Sequence, residues 1–81
     1  MFETAITVTV SNGKGVLARV ASELASSEAD IVRVDMDDAT DTTDMRFIVA
    51  VRDLAHGDLV LRNLRRTHSV LRAFRVLPQP V

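Results

Sequence analysis

The chain has 81 residues, of which 47% are hydrophobic, and its formal net charge is −1 at pH 7. This length fits one small domain with a thin core and leaves little for a second. Cysteine is absent, which excludes disulfides and thiol chemistry and is compatible with the cytoplasm. No apolar run approaches the roughly 20 residues of a membrane span, and the start lacks signal-peptide features. We expect residues 1–81 to form a single cytoplasmic domain without membrane contact.

The charges divide between the two halves of the chain. Residues 1–44 carry three basic and nine acidic groups, whereas residues 45–81 carry seven arginines and two aspartates. Halves of opposite sign indicate complementary contacts within the domain or with a partner. A fold that places residues of the two halves next to each other would instead mix the two charges over the surface. Both interpretations stay open.

The first third of the chain changes from strand to helix periodicity. An alternating β-branched run predicts a strand at about residues 4–11, and the sequence Ser-Asn-Gly-Lys-Gly after it predicts a turn. Apolar residues at helical spacing then predict a helix at about residues 15–27. The predicted buried stripe of this helix consists of Leu17, Val20, Ala21 and Leu24.

Two further alternating runs predict a β-hairpin, with strands at about residues 30–37 and 44–52. Val32, Val34 and Met36 are predicted to share one face of the first of these strands. The polar residues 37–44 predict the turn between them.

The last third predicts a second helix at about residues 54–66 and a final strand at about residues 69–77. Asp53 is a suitable N-cap for the helix. Gly57 lies inside its first turns and costs about 1 kcal/mol relative to alanine. Pro78 stops the final strand.

The order β-α-β-β-α-β predicts an α+β, ferredoxin-like sandwich, in which two helices cover one face of a four-stranded antiparallel sheet. The usual strand order, 4-1-3-2, agrees with the sequence because the first and third strands are the most continuously apolar. The other face stays bare and would expose Ile48, Ala50 and Leu71. We therefore expect a partner to cover it.

With this order in place, three segments resemble an ACT domain, the small-molecule-sensing module attached to many enzymes of amino-acid metabolism. Residues 10–18 resemble the family's Asp/Asn-x-x-Gly-hydrophobic-Leu pattern at the start of the first helix. Asp30-Ile31 stands where the family has Asn-Ile, and residues 45–53 are close to its third strand. Within the superfamily, the chain looks most like the C-terminal ACT domain of the RelA/SpoT family, which makes and degrades (p)ppGpp.

Two glycines depart from the family pattern. Gly57 falls where the family generally keeps a large apolar residue, which bears on the packing of the second helix. Gly13 stands where many ACT domains have arginine, which bears on any side-chain contact to a ligand.

The resemblance implies a regulatory fragment that relays nutritional or ribosomal state to upstream catalytic domains in the stringent response. The fragment is then not an enzyme, although its parent is a GTP pyrophosphokinase, a (p)ppGpp pyrophosphohydrolase or both. The alternatives are an amino-acid-sensing ACT domain of another metabolic enzyme and a module that contacts rRNA. The expected partners are a second copy, as a homodimer, or other domains of the same protein.

The turn after the first strand is the candidate binding site. A helix N-terminus presents free backbone N–H groups that suit a carboxylate or phosphate. In ACT domains that bind amino acids, this loop commonly meets the second strand of a paired subunit. The candidate ligand site therefore comprises Asn12, Gly13, Lys14, Gly15, Val16, Leu17, Asp30 and Ile31. The alternative is that the glycines serve turn geometry alone.

Other chemistries lack their motifs. Lys14 is followed by glycine, whereas a P-loop needs serine or threonine there. The aspartates between residues 35 and 44 do not have EF-hand spacing. His56 and His68 have no cysteine partner or zinc-site spacing and are expected at the surface. We expect no catalytic residue, no metal and no cofactor.

The arginines of the second half form a candidate phosphate-contacting face for RNA. The chain has no Trp or Tyr and three Phe, so aromatic platforms for base stacking are scarce. A solvated helix face is the alternative. The arginines concerned are Arg62, Arg65, Arg66, Arg72 and Arg75.

Overall fold

Four strands and two helices follow one another in the order β-α-β-β-α-β. The computed structural model describes residues 2–12 and 15–76. The predicted α+β, ferredoxin-like fold is confirmed, and residue 77 and Pro78, at the predicted end of the last strand, lie outside the described residues. The elements are β1 (Phe2–Ser11), α1 (Val16–Ser26), β2 (Asp30–Asp38), β3 (Thr42–Val51), α2 (Leu54–Arg65) and β4 (Val70–Val76).

The strands form one antiparallel sheet in the order β2-β3-β1-β4, which confirms the predicted central and edge strands. β1 and β3 pair along their whole length, from Phe2 opposite Val51 to Ser11 opposite Thr42. Both strands begin two residues earlier than predicted, because Phe2 and Thr42 each have a residue opposite them in the other strand.

The turn between β2 and β3 is shorter than predicted. The two strands stay paired as far as Asp38 opposite Thr43, so residues 39–41 alone form the tip. The backbone N–H of Ala39 donates to the carbonyl of Thr42 at 2.8 Å and closes this tip. The predicted turn over residues 37–44 is therefore too long at both ends. Backbone hydrogen bonds between strands form with polar residues as readily as with apolar ones, so the polar residues beside the tip remain part of the strands.

The core lies between the sheet and the helices, and each fully buried aliphatic side chain in it contributes about 1.5–3 kcal/mol. Ile6 and Phe47 face each other across the two central strands and are both buried. In α1 the buried residues are Val16, Val20 and Leu24. The predicted stripe through Leu17 is wrong, because a spacing of four residues places Val16 beneath Val20 and leaves Leu17 38% exposed.

The sheet face away from the helices is open. Ile48 and Ala50 lie on it, as predicted. Leu71 is 59% exposed, and a register shift in β4 leaves this residue with none opposite it in β1. Arg72 and Phe74, opposite Thr9 and Thr7, also lie on the open face.

The start of α2 is held by two side chains. Asp53 caps the helix as predicted, and its Oδ1 accepts from the backbone N–H of His56 at 2.8 Å. The His56 ring is buried, so its predicted surface position is wrong. Its Nδ1 accepts from the Arg52 N–H at 3.0 Å, and its Nε2 lies 2.6 Å from the Ser27 carbonyl oxygen. This pattern assigns the single ring proton to Nε2, and the neutral ring ties the end of α1 to the start of α2.

Gly57 leaves room for an arginine. A Cβ placed on Gly57 would lie 3.5 Å from an Nη atom of Arg75, whose guanidinium also forms an ion pair with Asp58. Arg75 stands on the helix side of β4, opposite Ile6. The guanidinium therefore occupies the space that a large apolar side chain at position 57 would fill, which explains this departure from the family pattern.

We expect Gly57→Ala to stabilise the domain by about 0.5–1 kcal/mol, because alanine is the better helix former and its Cβ meets Arg75 at an ordinary contact distance. Gly57→Leu is expected to destabilise it, because the longer side chain displaces the guanidinium from Asp58. Thermal unfolding followed by circular dichroism measures both changes. A lower melting temperature for Gly57→Ala would show that the glycine is required for more than its small volume.

Candidate functional site

Helix α1 has a glycine as its N-cap. This residue, Gly15, has φ 76° and ψ 5° and offers no side-chain acceptor to the first turn. The left-handed φ favours glycine. Apart from the neighbouring residues and the backbone of α1, no heavy atom of the described part of the chain lies within 4 Å of a Cβ placed there, so the requirement is conformational rather than steric. The two preceding residues of the predicted site, Gly13 and Lys14, lie outside the described residues.

Asn12, which follows β1, is hydrogen-bonded to the tip of the β2–β3 hairpin. Its Nδ2 donates to the carbonyls of Ala39 and Thr40 at 3.2 Å each, and its backbone N–H donates to the carbonyl of Asp41 at 3.0 Å. Its Oδ1 accepts from the hydroxyl of Thr43. The side chain of Asn12 thus positions the loop.

Thr43 stands between two acceptors. Its Oγ1 contacts the Oδ1 of Asn12 and lies 2.8 Å from the Oδ1 of Asp38. A threonine hydroxyl has one proton, whereas an amide oxygen and a carboxylate offer lone pairs alone. This corner of the loop therefore holds more acceptors than donors.

A cavity of about 370 Å³ opens between this cluster and the start of α1. Its volume is at the lower end of the range for small-ligand pockets. Apolar side chains from β1, β2 and β3 line it together with the polar cluster. The lining residues are Val10, Ser11, Asn12, Val16, Met36, Asp38, Thr43 and Met45.

The structure brings together some of the predicted site residues. Asn12 and Val16 line the cavity, and Gly15 directly precedes α1, whereas Leu17 is not among the lining residues. Asp30 and Ile31 lie opposite Ala50 and residue 49 of β3, at the other end of the sheet. Eight residues of an extended strand separate the two ends, or about 27 Å. Within one copy of the chain, Asp30 and Ile31 therefore do not meet the loop.

The predicted site omitted the other residues that line the cavity, which are Val10, Ser11, Met36, Asp38, Thr43 and Met45. Asp38 and Thr43 are directly opposite each other at the last pair of the hairpin. Their position beside Asn12 depends on where the hairpin turns, and the predicted turn over residues 37–44 is wider than the observed tip at residues 39–41.

β2 is exposed along its entire length. All nine of its residues are exposed, although Ile31, Val34 and Met36 lie on the helix side of the sheet with 40%, 40% and 47% of their surface accessible. The register against β3 shifts at Val32, so Ile31 shares a face with the other two. Val32, predicted on this face, has no residue opposite it in β3, and the pairing does not assign it to either face. We call the row Ile31, Val34 and Met36 the β2 apolar row.

The arginines of the second half do not form one surface. Arg75 turns toward α2, whereas Arg72 lies on the open face of the sheet, away from both helices. Arg65 lies on α2, and its Nε donates to the carbonyl of Ala73 at 2.9 Å. A single phosphate-contacting face built from all five predicted arginines is therefore wrong.

Within residues 2–12 and 15–76, no three side chains of the metal-binding types come together in a group that could hold an ion. Neither helix in these ranges has both the length and the apolar character of a membrane-spanning segment.

The fold is shared with known regulatory domains. The ACT domain from the GTP pyrophosphokinase of Chlorobium tepidum superimposes with a TM-score of 0.81 at 12% identity, over 93% of this chain and 97% of that one. The small subunit of acetolactate synthase from Thermotoga maritima gives 0.84 at 17% identity, over 99% of this chain and 50% of that one. The regulatory subunit of aspartate kinase from Thermus thermophilus gives 0.74 at 15%, over 93% and 50%.

At sequence identities this low, the similarity to these solved structures shows a shared fold and nothing more. A search of curated protein sequences found no match. The profile of the ACT domain, however, matches residues 1–75, which is nearly the whole chain. The predicted resemblance is therefore confirmed at the level of the family: the chain belongs to the ACT domain family of small regulatory domains.

Proposed function

We propose that the chain is the regulatory domain of a larger cytoplasmic enzyme and that it relays nutritional or ribosomal state through a protein contact made by β2. The observation that carries this proposal is the β2 apolar row on an edge strand. An exposed edge with apolar side chains offers unpaired backbone groups and apolar surface to another strand. The partner is a second copy of the domain or another domain of the same protein.

The parent enzyme that we propose is a (p)ppGpp synthetase/hydrolase of the RelA/SpoT type, active in the stringent response. Support comes from the motif at residues 10–18 and from the fold shared with the ACT domain of a GTP pyrophosphokinase. The catalytic steps belong to other domains of that enzyme. The natural reading frame around these 81 residues tests this part directly: it is expected to encode a hydrolase or nucleotide-synthetase domain upstream.

We expect Val34→Lys in the parent enzyme to abolish regulation and to leave basal (p)ppGpp synthesis and hydrolysis unchanged. The lysine places a charge in the middle of the β2 apolar row, where a docking strand would bury it. The measurement compares (p)ppGpp levels in growing and amino-acid-starved cells.

Leu59→Lys is the matched control for this experiment. Leu59 is 42% exposed, almost the same as Val34, but it lies on α2, which packs mainly against β4 at the opposite edge of the sheet. The control should respond to starvation like the natural enzyme. Normal regulation in both variants would refute a role for the β2 edge.

A second candidate function is amino-acid sensing at the cavity beside Asn12. The observation that favours it is the placement of the cavity between an uncapped helix N-terminus and an acceptor-rich corner that includes Asp38. The helix N-terminus suits the carboxylate of an amino acid, and the Asp38 carboxylate suits its ammonium group.

We expect one or a few of the twenty amino acids to shift the amide resonances of Gly15 and Val16 in an NMR titration of the labelled chain. Asp38→Asn should weaken that binding, because it removes the charge opposite the ammonium group. Saturating concentrations of all twenty that leave both amides unmoved would exclude the sensing function and would not affect the proposed protein contact.

A further inference from the structure

β4 is the second edge strand of the sheet, and it lies at the opposite side from β2. It spans Val70–Val76, and within the described residues no strand pairs with its outer side. Backbone groups that are unpaired along an edge attract strands of other chains, and natural proteins usually cover them. The accessibility of β4 therefore depends on which of its backbone groups point outward and on what lies over them.

The hydrogen bonds of β1 identify the outward groups of β4. The backbone N–H of Ser11 donates to the carbonyl of Ser69 at 3.0 Å, so the backbone groups of Ser11 point toward β4. Successive residues of a strand point their backbone groups to opposite sides, so Thr7 also points toward β4, where it is paired with Phe74. The groups of Phe74 are then used within the sheet, and those of Ala73, the midpoint of β4, point outward.

Arg65 lies over this midpoint. It is the last residue of α2, and its Nε donates to the carbonyl oxygen of Ala73 at 2.9 Å. A hydrogen bond from a charged donor is stronger than one between neutral groups. A strand that docks on β4 needs the same oxygen as an acceptor and the space beside it, so it must first displace the guanidinium. The bond that Arg65 makes therefore closes the middle of this edge.

The register shift at Leu71 limits the edge further. β4 carries one more residue than β1 between the pairs at Thr9 and Val10, so its regular part consists of residues 72–76. Irregular edges are poor templates for another strand. Ala73 lies within this short regular part, which is why a single side chain can obstruct it.

The strand that best fits the regular part of β4 is β2 of another copy. Neighbouring strands are antiparallel throughout the sheet, so β4 runs opposite to β2. A second copy moved sideways by the width of the sheet therefore places its β2 antiparallel to β4 and keeps all helices on one face. The result is one continuous sheet built from two domains.

The charges of the two edges are complementary. β4 carries two arginines and no acidic residue, whereas β2 carries one arginine and four aspartates. Opposite charges across a pair of strands stabilise it, and like charges destabilise it. A contact between two copies of β4 lacks this attraction.

The pairing within the sheet also identifies the outward groups of β2. Because Thr7 points toward β4, its partner Arg46 in β3 points toward β2, where it is paired with Asp35. The backbone groups of the two neighbours of Asp35, Val34 and Met36, therefore point outward.

These outward groups and the charges favour one register. With Met36 of the next copy opposite Ala73, residues 72–76 of β4 face residues 33–37 of β2, and both strands are regular over these ranges. Arg72 is then opposite Asp37, and both side chains lie on the open face. The N–H of Met36 donates to the carbonyl that Arg65 holds in a single copy. A shift by two residues in either direction brings the bulge of β2, or the turn after it, into the contact.

We propose that Arg65 closes the β4 edge and thereby keeps copies of the chain from joining head to tail, β4 against β2, into an open-ended sheet. A contact between two different edges leaves one free edge at each end and continues without closing. The closed β4 leaves β2 as the edge for the proposed regulatory contact. The inference goes beyond that contact, because it concerns the opposite edge of the sheet.

Arg65→Ala tests the inference in sedimentation velocity experiments over a range of concentrations. The association constant of the end-to-end contact is expected to rise about tenfold or more, because a docking strand no longer displaces a hydrogen bond from a charged donor. The mean mass of the variant then grows with concentration and reaches no plateau, whereas the natural chain keeps a finite mass. Alanine at an exposed helix position preserves the fold, which circular dichroism checks, and Arg65→Ser is the second variant if the alanine variant unfolds.

Arg62→Ala is the matched control. Arg62 lies one turn earlier on α2, is exposed like Arg65 and carries the same charge. The control is expected to keep the finite mass of the natural chain. Open-ended growth of both variants, or of neither, overturns the inference.

An exchange of charges tests the register. Adding Arg72→Asp to Arg65→Ala is expected to suppress the growth, because a carboxylate then faces Asp37, and adding Asp37→Arg as well is expected to restore it. Growth that Arg72→Asp does not reduce overturns the pairing of β4 with β2 and leaves the role of Arg65 standing. The starvation response of Val34→Lys is measured separately, so the proposed regulatory contact stands or falls independently of these outcomes.

Discussion

The ladder between β1 and β3 is the interaction on which the rest of this domain depends. Ten consecutive pairs, without a bulge, determine which side chains of the two central strands face the helices. Because the pairing runs to the very end of β1, it also brings the loop at Asn12 against the tip of the neighbouring hairpin. β2 then has one neighbour only, and it joins the sheet at the edge with its apolar row uncovered. The cavity beside Asn12 and the exposed β2 edge are both consequences of one strand pair.

The general architecture was predictable because it depends on periodicity. The change from alternation to helical spacing after Ser11, and back again at Asp30, locates the elements without any knowledge of contacts. The strand order followed from the usual order of a β-α-β-β-α-β chain, with which the apolar continuity of the first and third strands agrees. Asp53 was recognisable as a cap because capping is local chemistry.

The details that were wrong depend on contacts between distant residues. The register shifts at Val32 and Leu71 interrupt the predicted alternation, and alternation within one strand cannot reveal them. His56 is buried because two backbone groups from different elements satisfy its ring nitrogens, although histidine near a helix end is usually a surface residue. In the site, the glycine turn was found from its own residue types, whereas Asp38 joins it only through the exact place where the hairpin reverses.

Gly57 and Arg75 illustrate how one volume can be shared by two distant positions. The arginine lies over the glycine, so the space beneath α2 is filled from the strand rather than from the helix. Positions 57 and 75 therefore constrain each other in evolution. A relative with a large apolar residue at position 57 cannot keep the same arginine conformation at position 75. In an alignment of the family, this packing arrangement should appear as covariation between positions 57 and 75, rather than as a preferred residue at either position alone.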